Sequence, residues 1–225
     1  MSTEDEHEDM VNERVIPVTI CGRALLRPSA LPTPAGHLVG FHGYGGTAED
    51  ELRLLTAIPG SDRWTLLSIE ALHPVILQDG RQGSSWMTSR DRLRRIEENI
   101  RYVDGVFDAL DVEGGIPGTI VFHGFSQGAG MAVRAALQGH HSPAAVMLLG
   151  GDIPPEAEDL GRMGRVHLAR GLKDRLYTVE KCDEDRTRLR DAGVMVDACT
   201  FRGGHGPGAE YLRSAGAFLA GCVRG

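Results

Sequence analysis

Short apolar runs alternate along this 225-residue chain with longer stretches in which apolar and charged positions recur at helical spacing. The clearest helical pattern is Leu93, Ile96, Ile100, Val103, Phe107 and Leu110. Steps of three and four put these side chains on one stripe, which predicts a helix with a single buried face. Runs rich in Val, Ile, Leu and Phe predict strands at 37–42, 64–70, 119–122, 144–149, 165–169 and 194–199. Helices are expected from Thr47, where Thr47-x-x-Asp50 has the spacing of a capping box, and from Gly130. Two more are expected near 176–191, stopped by Gly193, and from Pro207 to Cys222. Residues 15–27 predict a β-hairpin that turns at Cys21-Gly22, with Pro17 assigning its first strand to a sheet edge. Residues 72–88 predict a long polar loop.

Strands alternating with helices predict an α/β fold with a mostly parallel central sheet and helices on both faces. Ligands on such sheets bind beyond the carboxyl ends of the strands. The loops after Phe41, Phe122, Leu149, Ala169 and Thr200 are therefore expected along one edge. No repeat and no Ser/Pro-rich linker divides the chain, so residues 13–225 are expected to form one domain.

Charge changes this picture only at the start of the chain. The formal net charge is −7, but Glu4, Asp5, Glu6, Glu8 and Asp9 supply five negative charges with no Lys or Arg among residues 1–10. Residues 1–12 read as an acidic, disordered tail, and they lack the basic and apolar regions of a signal peptide. The near-neutral remainder gives no electrostatic footprint for nucleic acid. The uncharged stretches 28–48 and 114–133 are broken by glycine and proline and do not read as membrane spans. Cys21, Cys182, Cys199 and Cys222 follow no metal-ligand or C-x-x-C spacing, so reduced thiols, a cytoplasmic location and no metal or cofactor are expected.

The chemistry concentrates at Gly124-Phe125-Ser126-Gln127-Gly128, a G-x-S-x-G between an expected strand and an expected helix. That context is a nucleophile elbow, a turn so tight that its flanking positions tolerate little more than hydrogen. A serine nucleophile needs a base and an acid later in the chain. His140 and His141 follow the elbow helix at the wrong end of the sheet, and His167 lies within an expected strand. His205, in Arg202-Gly203-Gly204-His205-Gly206-Pro207, follows a strand on the correct edge and is the candidate base. Asp174 and Asp152 both follow strands on that edge; position alone favours Asp174 and leaves Asp152 open. The backbone N–H groups of Gln127 and of Tyr44, in the Gly-rich turn after the early strand, are candidate oxyanion donors.

Together, His42-Gly43-x-Gly45, Gly124-Phe125-Ser126-Gln127-Gly128, Gly171-x-x-Asp174 and Gly204-His205 give residues 35–222 a clear likeness. The chain resembles the carboxylesterase/phospholipase/acyl-protein thioesterase-like group of small serine α/β-hydrolases. The resemblance implies an α/β-hydrolase fold and a Ser126–His205–Asp174 triad, and so decides for Asp174 over Asp152; at 225 residues, with 72–88 the sole long excursion, no large cap domain is expected. It implies hydrolysis of a small-molecule ester or thioester through an acyl-enzyme. Two departures bear on substrate. Gly46-Thr47 stands where the group often has an Asp after His-Gly-x-Gly, and Ser84-Ser85-Trp86-Met87-Thr88 lacks the usual Trp-Phe-Asp wording. Trp86 and Met87 are candidates to line the acyl pocket. Small-ester carboxylesterase, lysophospholipase or acyl-protein thioesterase activity, and a non-catalytic ligand-binding role on the same fold, are the alternatives. The oligomeric state is left open between monomer and homodimer.

Overall fold

The computed structural model describes residues 12–112 and 118–223. The acidic segment expected at 1–12 therefore lies, apart from Asn12, outside the described residues.

Seven strands form one twisted sheet in the order β1-β3-β2-β6-β7-β8-β9. They are β1 (Ala24–Arg27), β2 (Gly36–Phe41), β3 (Thr65–Ile69), β6 (Thr119–Phe125), β7 (Ala145–Leu149), β8 (Arg165–Gly171) and β9 (Met195–Phe201). Only β1, at one edge, runs antiparallel to its neighbour; the other pairs are parallel. Successive side chains on a strand face opposite ways, and the two cores follow that alternation. Val39, Phe122, Val146 and Val166 join one core, and Leu38, Val121, Ala145 and Met147 join the other. The first core is covered by α2 (Arg92–Val112), α3 (Gln127–Gln138) and α4 (Val179–Asp191). The second is covered by α1 (Ala48–Ala57) and α5 (Ala209–Ala220).

Local signals explain where the elements begin. Thr47 Oγ1 accepts from the Asp50 amide while the Asp50 carboxylate accepts from the Thr47 amide, so the capping box forms at the start of α1. Such a cap contributes about 1 kcal/mol. Strands β6, β8 and β9 run two or three residues past their apolar runs, because Gly124, Phe125, Gly171 and Phe201 still pair with neighbouring strands. That extension carries the loops that follow these strands to one edge.

Three expectations need correction. The hairpin at 15–27 does not form. Residues 12–23 carry no strand, Ile16 and Val18 are exposed, and β1 instead pairs antiparallel with β3. Pro17 lacks an N–H and cannot complete a ladder with 23–27, whereas the edge of β3 offers one in register. The loop at 72–88 contains a two-stranded antiparallel unit, β4 (His73–Ile76) and β5 (Gln82–Ser85), which turns through Asp79-Gly80. The apolar stripe of α2 buries from Ile96 onward, but Leu93, in the first helical turn, is 72 % exposed.

Candidate active site

The chain leaves β6 through Ser126, whose φ of 53° and ψ of −119° lie outside the regions that a residue with a Cβ prefers. Such a conformation costs on the order of 1–3 kcal/mol and persists only when the surroundings fix it. Here the Ser126 amide donates to Leu149 O at 2.8 Å, and Ser126 O accepts from the Ala129 amide at 2.9 Å. The flanking glycines are steric necessities. A Cβ at Gly124 would fall 2.4 Å from Gly128 O, and one at Gly128 would fall 1.9 Å from Phe41 O. The contacts are with backbone, which cannot swing aside.

Beneath the turn, His123 is fully enclosed. Its Nδ1 lies 2.6 Å from Glu51 Oε1 on α1, and its Nε2 lies 2.7 Å from the Tyr211 hydroxyl on α5. The residue before Gly124 is thereby tied to both helices of that face.

Ser126 Oγ lies 2.8 Å from His205 Nε2, and His205 Nδ1 lies 2.9 Å from Asp174 Oδ2. An ionised Asp174 only accepts, so Nδ1 carries the imidazole proton and Nε2 is left to accept from the serine hydroxyl. The other carboxylate oxygen of Asp174 accepts from the amides of Leu176 at 2.9 Å and Tyr177 at 3.0 Å. Burial alone would push the Asp174 pKa up. The Tyr177 and Leu176 amides and the imidazole outweigh it and hold the carboxyl below its ordinary value. Asp152, the rival from sequence position, instead pairs with Lys181 Nζ at 3.2 Å.

The Gly-rich turn after β2 is held next to Ser126. A Cβ on Gly43 would lie 3.3 Å from Ser126 Cβ. His42 Nε2 accepts from the Ala71 amide at 3.0 Å, which leaves Nδ1–H to donate to Gly43 O at 2.7 Å. The amides of Tyr44 and Gln127 have no acceptor among the described residues.

Met87 reaches the cleft above Ser126, and Trp86 does not. The Trp86 ring is fully enclosed against Phe41, and its Nε1–H donates to His42 O at 2.9 Å. Its position makes it a brace for the turn that holds Tyr44. The Gln127 side chain is a second brace that sequence reading missed: its Oε1 accepts from the Trp86 amide at 2.9 Å and the Ser85 hydroxyl at 3.2 Å. The form Gly-Phe-Ser-Gln-Gly was the available signal. His167 is buried on β8, bonds Ser214 through Nε2, and is pushed by burial down to about 4, so it stays neutral. Among the described residues no group of His, Cys, Asp or Glu is placed to hold a metal ion. No described helix is long and apolar enough to cross a membrane.

The cleft has a volume of about 420 Å³, and Ser126 and His205 line it. Arg92, Arg134 and Lys181 also line it, a concentration of charge that the sequence reading passed over. Arg134 was legible as a lone charge in the uncharged run from Gly128 to Leu137.

No protein-family model matches the chain, and no curated protein matches it by sequence. Solved structures match its fold. Esterase PE8 is 23 % identical with a TM-score of 0.75, over 91 % of this chain and 100 % of its own. The Bacillus cereus carboxylesterase is 16 % identical with a TM-score of 0.72, over 89 % and 94 %. Zea mays acyl-protein thioesterase 2 is 18 % identical with a TM-score of 0.70, over 91 % and 100 %. The architecture is the α/β-hydrolase fold, and these neighbours belong to the esterase and thioesterase group that the motifs resemble.

Proposed function

We propose that residues 13–225 act as one serine hydrolase domain that cleaves a carboxylic ester or thioester through an acyl-enzyme on Ser126. The observation that carries this reading is the unbroken hydrogen-bond chain from Asp174 through His205 to a serine held at positive φ. In the proposed sequence, Ser126 Oγ attacks the carbonyl carbon while His205 Nε2 takes the hydroxyl proton. Asp174 keeps the imidazole in the tautomer that can accept and stabilises the imidazolium that forms. The Tyr44 and Gln127 amides receive the oxygen that becomes negative in the tetrahedral intermediate. His205 returns the proton to the departing alcohol or thiol. Water then attacks the acyl-serine, losing a proton to His205, and His205 returns that proton to Ser126 Oγ as the acyl–oxygen bond breaks, releasing the carboxylic acid and restoring the free serine.

The fold shared with esterases and thioesterases supports the class of reaction without specifying the substrate. A panel of p-nitrophenyl esters, acyl-thioesters and lysophospholipids, compared by kcat/KM, tests it. Ser126→Ala is expected to lose at least about three to four orders of magnitude in kcat on every substrate turned over. Turnover retained within tenfold by that variant would overturn the assignment.

A further inference from the structure

Helix α3 starts directly after Ser126 and presents Gly130 and Arg134, four residues apart, on one face. Arg134 is only 6 % exposed and is the one charged side chain of this helix. Its Nε and Nη2 both donate to a single oxygen, Glu156 Oε1, at 3.1 and 2.7 Å. Nη1 has no acceptor among the described residues, yet it is not sealed off from solvent. It lies over Gly130, where a Cβ would approach it to 3.3 Å, and Gly130 and Arg134 both line the Ser126 cleft.

Arg92 Nη2 shares the same carboxylate, at 3.0 Å from Glu156 Oε2, and Lys181 pairs with Asp152. Three cations of the cleft lining thus share two carboxylates, Glu156 and Asp152, an excess of one positive charge. Burying a guanidinium costs several kcal/mol unless its donors are matched, and here the unmatched donors are the ones turned toward the cleft. A purely structural ion pair would use the guanidinium fork against both carboxylate oxygens. Gly130, which has no side chain to block the way, stands four residues from Ser126, about 6 Å of helical rise, and Arg134 Nη1 lies over it.

The geometry points to an anion subsite formed by Arg134, Arg92 and Lys181, which selects esters or thioesters bearing a carboxylate about four or five carbons from the scissile carbonyl. A monoanion matches the single excess charge. The selectivity for esters rests on the serine-hydrolase reading of Ser126; binding of the acid itself does not.

Matched substrates test the subsite. On the acyl side, p-nitrophenyl hydrogen glutarate is compared with p-nitrophenyl methyl glutarate. On the alcohol side, 4-acetoxybenzoate is compared with its methyl ester. The wild type is expected to favour the acid in one pair by about tenfold or more in kcat/KM, as a charge-assisted hydrogen bond allows. Arg134→Gln is expected to abolish that preference, read as the ratio of kcat/KM for the acid to that for its neutral ester. Because Arg134 is buried, Lys181→Gln and Arg92→Gln, at exposed positions, provide variants that do not risk the fold; each is expected to reduce the preference severalfold. Equal rates for acid and neutral ester in both wild-type pairs, or variants that slow both members alike, would overturn the subsite. Calorimetric titration with glutarate reads the site without turnover. Glutarate binding that weakens in Lys181→Gln supports it even if no ester is cleaved and the hydrolase reading has failed. Absence of glutarate binding to active enzyme refutes it while leaving that reading intact.

Discussion

Replacing Asp174 with asparagine would isolate the orienting role of its carboxylate from its structural one. An Asn at 174 keeps an oxygen to accept from the Leu176 and Tyr177 amides, at 2.9 and 3.0 Å in the native protein. Its NH2 then faces His205 Nδ1, where Asp174 Oδ2 now accepts at 2.9 Å. Two donors cannot share that contact, so the imidazole proton moves to Nε2 and points at Ser126 Oγ. The base is lost although every group remains in position. A loss of about 10³–10⁴ in kcat is expected, or roughly 4–5.5 kcal/mol of transition-state stabilisation. Thermal stability should change little. Asp174→Ala, by contrast, strands two amides beside a buried site and should cost an additional 1–3 kcal/mol of stability, roughly, with a matching fall in Tm. The assay is p-nitrophenyl butyrate hydrolysis alongside thermal unfolding for both variants. A folded Asn variant that keeps activity within tenfold of wild type would refute the orienting role.

Other expectations follow from the same geometry. Gly128→Ala drives a Cβ to 1.9 Å from Phe41 O, so a loss of about 3 kcal/mol or more, read by urea unfolding, is expected; a native Tm would contradict the elbow geometry. Trp86→Phe removes the donor to His42 O and should lower kcat severalfold with KM little changed, since it loosens the turn that carries Tyr44 without touching the cleft wall. Burial holds His167 near 4 against an ordinary value of 6.5. The unfolded chain therefore takes up this proton first, and stability should fall as pH drops from about 6.5 to about 4, by at most about 3 kcal/mol. His167→Phe should flatten that slope in urea titrations, leaving the smaller contributions of His37 and His73, whose pKa values burial also lowers. An unchanged slope would contradict it.

Much of the fold was legible because its signals are local. The apolar runs of β2, β3, β7 and β8 and the Thr47–Asp50 box each act within a few residues. The partner of β1 was not legible: a hairpin to 15–20 and an edge pairing with β3 look alike until the register of distant strands is known. The hairpin β4–β5 was hidden because β4 is only four residues long and interrupted by Pro74, and β5, Gln82–Ser85, carries no apolar run. At the site, the motifs drew attention to Ser126, His205 and Asp174, which the fold brings within hydrogen-bonding distance. Trp86 and Gln127 could not be resolved in the same way, because their work is done across 41 residues of chain. Arg134 was passed over because a charge in a helix usually faces solvent, and only the packing of α3 shows that this one is buried beside the cleft.

The most direct test of an activated serine at this elbow is fluorophosphonate labelling followed by intact and peptide mass spectrometry. One adduct per chain, located on Ser126, accompanied by loss of esterase activity and absent from Ser126→Ala and strongly slowed in His205→Ala, is the predicted result. A folded wild-type protein that takes up no label, or a Ser126→Ala variant labelled as fast as wild type, would contradict it.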